Sequence, residues 1–337
     1  MQVDSMKETT NMKKLNLPLA ILVAAVMAVN AQTSATSQTV GYQNIPIKGS
    51  NGGASVFSFV PVQLSKSPAF TGAGSATGVV VTLAGSTVGD VTTLPHYLII
   101  QSGTGVGYIS DVVSSTSTTV TTVQDLSAYI TSGTRVAVIP HIRLSDLFGD
   151  AANLVIGGGT SDTADLVYLV GADGSFVPYY YKNSGPASTH GWKNISTGNT
   201  ENASVYPSES VLVERKASTD TVALTQFGDV ANQSMRLAYD PGFTSSASAF
   251  PLVLQLNSLT SVLEGGASAD TADIIYVVDS QSGQLSPYYY KNAGPASTRG
   301  WKDVATGQAA DTTMNIGNGF IVERRAVTTA ALTQLAP

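Results

Sequence analysis

Apolar residues along this chain fall in short runs, broken repeatedly by Gly, Ser, Thr, Asn and Asp, and nowhere hold the three-to-four-residue period of a long amphipathic helix. Leu166–Val170 and Ile274–Val278 are each five apolar residues rich in β-branched side chains, which predicts strands buried on both faces. Turn residues at 172–175 and 280–283 follow them, so the Tyr-rich runs beyond are predicted to return as the second strands of hairpins. Further strands are predicted over 211–215, 222–226, Phe320–Arg324 and Ala330–Gln334. The helical signals are short, at Leu144–Phe148 and 259–263.

These elements belong to an internal repeat. Asp162-Thr163-Ala164-Asp165 recurs at Asp270-Thr271-Ala272-Asp273, and Pro178-Tyr179-Tyr180-Tyr181-Lys182-Asn183 recurs at 287–292. Gly191-Trp192-Lys193 returns at 300–302, Val213-Glu214-Arg215 at 322–324, and Ala223-Leu224-Thr225-Gln226 at 331–334. The offset is about 108 residues, with single-residue slips in turns. Residues 42 to about 140 lack the repeat and show strand candidates at 55–62, 78–83, 97–101, 107–113, 118–123 and 135–140, which suggests a small barrel or sandwich. The expectation is an all-β chain: an N-terminal barrel or sandwich over 42–150, then two tandem β-rich repeats over 151–230 and 231–337, packed as a sandwich-like unit.

Ahead of this body, Met12-Lys13-Lys14 leads an apolar stretch over 15–29 and then Val29-Asn30-Ala31, the layout of a signal peptide over 1–31 with Met12 as its start. That predicts an exported chain, extracellular or at the cell surface, with the periplasm as the alternative, and no membrane span once the leader is removed. Composition narrows the field further. Only 12% of the 337 residues are charged, the net charge is -6 and there is no basic block, so nucleic acid is not an expected partner. With no cysteine, disulfide scaffolds, thiol catalysis and cysteine-ligated metals are excluded.

The Tyr triplets carry the first chemical idea. In a strand Tyr179 and Tyr181 share one face, as do Tyr288 and Tyr290; with Trp192 and Trp301 they suggest two flat aromatic platforms for sugar rings. The competing reading is that these rings fill a β core. Asp162, Asp165 and Asp173, with Asp270 and Asp273 in the second copy, are hard oxygen donors that suit Ca²⁺, the one cofactor considered, although their spacing is not that of the helical calcium loop. Turn capping is the plainer role for them. Glu214 and Glu323 invite a glycosidase reading, but each copy supplies one such glutamate beside an arginine, and an ion pair at a sheet edge is the simpler expectation. His190 is replaced by Arg299 in the second copy, which sets it outside the shared design. No nucleophile elbow and no H-E-x-x-H pattern occurs.

Val60-Pro61-Val62, Ser67-Pro68-Ala69-Phe70, Leu98-Ile99-Ile100-Gln101-Ser102-Gly103 and the Tyr-rich, Trp, Val-Glu-Arg and Leu-Thr-Gln segments give the chain a resemblance to a paralogous family of secreted β-rich proteins of unknown function from Verrucomicrobia. The resemblance implies a β fold and export and transfers no site; the second copy over 270–334 departs from it. The functional expectation is a non-enzymatic, structural or adhesive cell-surface protein whose partner is itself or a surface polysaccharide. Carbohydrate binding by the duplicated Tyr/Trp faces is the alternative, and a glycan-active enzyme the third reading.

Overall fold

The computed structural model describes residues 39–336 apart from 51–53, 86–87, 90, 92, 150–153, 172, 217–219, 253 and 280–281. The signal peptide expected over 1–31 lies outside the described residues. The chain enters on β1 (Val40–Ile47), β2 (Val56–Pro61) and the short β3 (Leu64–Ser65). Six strands follow: β4 (Phe70–Thr77), β5 (Val80–Leu83), β6 (His96–Ile100), β7 (Ile109–Ser115), β8 (Thr119–Thr122) and β9 (Thr134–Pro140). Then come β10 (Ile142–Arg143), α1 (Leu144–Phe148), β11 (Leu166–Val170), β12 (Phe176–Lys182), β13 (Gly191–Asn194), β14 (Ser204–Val205), β15 (Ser210–Arg215) and β16 (Val222–Val230). The last stretch holds β17 (Met235–Tyr239), β18 (Gly242–Ser246), β19 (Ile274–Val278), β20 (Leu285–Lys291), β21 (Gly300–Asp303), β22 (Phe320–Arg324) and β23 (Ala330–Gln334). The fold is all-β.

β4 to β9 close into a barrel in the order β4-β5-β8-β7-β6-β9. Alternation along its strands sends Leu98, Ile100, Val136 and Val138 inward, while Tyr97, Ile99, Ala137 and Ile139 face out and pack with Met235 and Phe250. β4 escapes a hydrophobic-pattern reading because its inward positions after Phe70 are Gly72, Gly74 and Ala76. A Cβ on Gly74 would sit 3.2 Å from Val136, so the neighbours' larger side chains fill the space that β4 leaves. The barrel therefore begins at Phe70; the strand expected over 55–62 is real but belongs elsewhere, in the sheet of the first repeat.

That repeat and the second build the same unit, here called modules 1 and 2. Module 1 has the sheet β13-β12-β11-β15-β2, and module 2 the sheet β21-β20-β19-β22-β18. The registers coincide: Glu214 faces Phe57 and Leu166, as Glu323 faces Phe243 and Ile274. A ribbon covers each sheet, β1 with β16 and β17 with β23, again in one register, Ile45 opposite Leu224 and Leu237 opposite Leu332. The barrel is an insertion in module 1, between β3 and β10; in module 2 the matching connection is the short stretch 247–255. The unit is thus larger than the repeat visible in the sequence, since β1, β2, β17 and β18 share its pairing but little of its wording. The second helical signal, expected over 259–263, is a 3-10 turn at Leu256–Leu259.

Each module has its own core, centred on Trp192, Val167 and Leu224 in the first and on Trp301, Ile275 and Phe320 in the second. The outer faces of the two sheets meet through Phe59, Leu212 and Ile321, flanked by Phe57, Tyr168, Phe243 and Tyr276. The contact is reciprocal, in the manner of an isologous interface. The β19–β20 turn accepts Phe57 N–H at Gly283 O, 2.8 Å, and the β11–β12 turn brings Gly174 so close to Phe243 that a Cβ would lie 2.9 Å from its nitrogen. Near the centre, Ser210 and Ser245 hydroxyls lie 2.9 Å apart. The counterparts of these serines are Gly319 and Phe59, and a Cβ on Gly319 would approach Phe59 to 2.7 Å. One bulky ring facing a bare glycine balances two hydroxyls facing each other.

Candidate functional site

The rings expected as platforms form the module cores instead. Trp192 and Trp301 are each 3% exposed and Tyr179 is 4% exposed, so none can present a face to a ligand. Cross-strand pairing puts Tyr181 opposite Trp192 and Tyr290 opposite Trp301, and both pairs meet edge to face at 5.7 Å. Tyr288 also packs, half-buried, against the second core. Trp192 Nε1 donates to Gly149 O at 3.3 Å and Trp301 Nε1 to Thr260 Oγ1 at 3.0 Å. This corrects the platform reading: the face shared by Tyr179 and Tyr181 is the one the ribbon covers.

The second aspartate of each D-T-A-D motif is a buried clasp. Asp165 accepts the N–H groups of Ile156 and Lys216, both at 2.8 Å, and Arg215 Nε lies 2.8 Å from its Oδ2. That guanidinium approaches off the N–H axis, so the contact is an ion pair more than a hydrogen bond. Asp273 repeats the arrangement with Glu264 N–H at 2.8 Å, Arg325 N–H at 2.9 Å and Arg324 Nη1 at 2.8 Å. Both carboxylates face N–H donors and a guanidinium, a setting built for an anion and not for Ca²⁺. Asp162 and Asp270 are exposed, and Asp173 caps its own turn by accepting Ser175 N–H at 3.0 Å. No group of three or more His, Asp or Glu suited to a metal occurs among the described residues.

The neighbouring glutamates point the other way, because adjacent strand residues alternate. Glu214 accepts the Tyr168 hydroxyl and Glu323 that of Tyr276, both at 2.6 Å. Their strands lie inside the sheets, β15 between β11 and β2 and β22 between β19 and β18, so neither glutamate stands at a sheet edge. Arg215 and Arg324 turn to the aspartates, while Glu323 does pair with an arginine, its Oε1 accepting from Arg325 Nε at 3.1 Å. His190 proves to share in the common design after all. Its Nε2 lies 3.1 Å from Gly185 O, and Arg299 Nε donates to the equivalent Gly294 O at 3.0 Å.

A polar cluster joins the barrel to module 1. His141 Nε2 lies 3.0 Å from Asp111 Oδ1, and Tyr206 donates its hydroxyl to Asp111 Oδ2. The His141 ring sits between Tyr97, at 5.0 Å, and Tyr206, at 4.8 Å. Desolvation raises the Asp111 carboxyl, but the bonds from His141 and Tyr206 outweigh it and hold its pKa below the usual value. Burial pushes the nearby Glu209 up to about 7, with the Asp111 charge adding to the effect, and Glu209 accepts Tyr206 N–H at 3.0 Å. His141 is 2% exposed with Nδ1 buried, so no imidazole nitrogen faces solvent and the cluster fastens two parts of the chain. The adjoining crease between Leu64, Tyr97, Pro140 and Pro207 is shallow, about 170 Å³ including the solvent at its mouth.

The most exposed aromatic pair lies outside the Tyr-rich strands. On the outward face of the β1–β16 ribbon, Tyr42 and Phe227 are 73% and 74% exposed. They are direct cross-strand partners with ring centroids 6.5 Å apart and planes tilted by 36°. Two residues along, on the same face, Thr225 donates its hydroxyl to Asn44 Oδ1 at 2.7 Å. Alternation over 223–227, with Leu224 and Gln226 inward, turns Phe227 away from the core. Tyr42 carries no such signal, because β1 is defined by its pairing with the distant β16. Comparison of the chain with protein-family models, with curated proteins and with solved structures returned no match.

Proposed function

We propose that this is an exported, non-enzymatic protein with a structural or adhesive role at the cell surface. The observation that carries the reading is the fate of the duplicated polar motifs. In both modules the same aspartate clasps an arginine, the same glutamate holds a tyrosine hydroxyl and the same tryptophan anchors the core. Side chains that looked like chemistry are bonded to the fold, twice over, which supports duplication of a building unit and not of a catalytic site. Low charge and a leader-like N-terminus support export. Light scattering and negative-stain microscopy on the chain from Gln32 onward test the proposal. Ordered, concentration-dependent assemblies are expected, unchanged by Ca²⁺ because the clasp carboxylates already face cationic and N–H donors; a strict monomer at high concentration overturns it.

A further inference from the structure

We propose that the outward face of the β1–β16 ribbon binds a neutral polysaccharide, Tyr42 and Phe227 stacking on pyranose rings while Asn44 and Thr225 bond their hydroxyls. The first support is exposure. Two aromatic rings at 73% and 74% leave apolar surface in water that a strand could have avoided with Thr or Ser. Module 2 lacks the pair of rings. In the shared register the counterparts of Tyr42 and Phe227 are Ser234 and Leu335, one step beyond the last β17–β23 pair, Met235 opposite Gln334, and Leu335 is 74% exposed.

The second support is the chemistry of the rim. Thr225 and Asn44 already hydrogen-bond each other, and that bond holds both polar groups in place beside the rings. Asn44 Nδ2 and the Thr225 hydroxyl oxygen keep donor and acceptor capacity for a ligand. A pyranose matches this pairing, with an apolar C–H face for the rings and hydroxyls for the amide. None of the exposed residues Val40, Tyr42, Asn44, Thr225 or Phe227 is charged, and Asp229, which alternation places on the same side opposite Val40, is only 7% exposed, which favours a neutral polymer over an acidic or basic one. The face is also small. Two rings bring about 300–500 Å², against about 800 Å² per partner in a stable protein interface, so a sugar chain is a better occupant than a second protein.

The test is affinity electrophoresis of the exported chain through gels containing hydroxyethyl cellulose, a neutral β-glucan or a mannan, with carboxymethyl cellulose as the charged control. It is run at concentrations where light scattering finds a monomer, so failure of self-assembly and failure of glycan binding are read separately. Retardation by at least one neutral polymer is expected. Phe227→Leu, which copies Leu335, and Tyr42→Leu should each weaken it about tenfold. Tyr42→Phe should retain it. Leu252→Ala, at an exposed apolar site elsewhere, should leave it unchanged. No retardation by any neutral polymer overturns the proposal, as does retardation that survives Tyr42→Leu combined with Phe227→Leu, or that occurs only with the charged polymer. Loss of self-association in place of polysaccharide retention also overturns it, by assigning the face to protein contact.

Discussion

The inner faces of the two modules are near copies, whereas the outer faces of their ribbons have diverged. Inside, both place a tryptophan under the ribbon, a tyrosine edge-on against it and an Asp–Arg clasp at the sheet end. Outside, module 2 turns Arg236 onto the barrel, its guanidinium 4.6 Å over the Tyr108 ring, with Arg236 N–H bonded to Gly107 O. Module 1 puts Asn44 at the matching position and leaves Tyr42 and Phe227 exposed beside it. Packing and buried polar bonds tolerate little change, so a duplicated core stays alike. A solvent-facing strand position is under no such constraint, so a difference there reports what each module touches.

Breaking the clasps has the largest expected effect. Asp165→Ala and Asp273→Ala each leave a buried guanidinium without its counter-charge and two N–H groups without an acceptor, a loss of about 3–5 kcal/mol in denaturant unfolding. Trp192→Ala and Trp301→Ala fall in the same range, about 3–5 kcal/mol, because each empties a core. Near-equal values within each pair are expected. A loss under about 0.5 kcal/mol at either tryptophan would return that ring to the surface and restore the platform reading.

The seam between the modules comes next. Gly319 has φ +128° and lies against Phe59 and Ser210, so Gly319→Ala imposes both backbone strain and a clash, about 2–4 kcal/mol together. Its counterpart Ser210 tolerates Ala more readily, at about 1 kcal/mol for the lost hydroxyl bond. Melting curves of the two variants check the asymmetry, and equal losses would contradict it.

These positions also show what was legible in the sequence. The strands of both repeats could be read because their central residues are apolar runs, and α1 because Leu144, Leu147 and Phe148 share a buried side. β1, β4 and β17 could not. β4 buries glycine and alanine, and β1 and β17 are defined by the strands they pair with, far along the chain. The clasps are not legible as such, either as turn caps or as calcium ligands, because D-x-x-D carries no sign of its partner, 50 or so residues away. The tyrosines were visible as a pattern, but which face of their strand was covered depended on the ribbon.

Glu209 sharpens the comparison through pH, since module 2 has Asn318 at its position. Its carboxyl is raised from the ordinary 4.5 to about 7 in the fold, so between those values the folded chain holds a proton that the unfolded chain releases. Stability is therefore full at acid pH and falls as pH rises through that window, by about 2–3 kcal/mol for this group. Glu209→Gln keeps an acceptor for Tyr206 N–H and removes the titration. Unfolding measured at pH 5 and pH 8 should show the difference shrinking in the variant; an unchanged pH slope would mean that Glu209 is ionised in the fold.

The smallest expected effects bear most directly on the divergent ribbon faces. Arg236→Ala should destabilise by about 0.5–1 kcal/mol, the worth of a partly exposed cation–π contact, because that face is part of the internal packing. Tyr42→Leu and Phe227→Leu should change stability by no more than about 0.5 kcal/mol each, since both residues are about three-quarters exposed. Melting temperatures under one buffer decide the matter. If the aromatic variants lose as much as Arg236→Ala or more, the rings support the ribbon and their exposure has a structural cause. If they lose nothing while Arg236→Ala does, the same face of the same unit serves internal packing in module 2 and remains free for an external ligand in module 1.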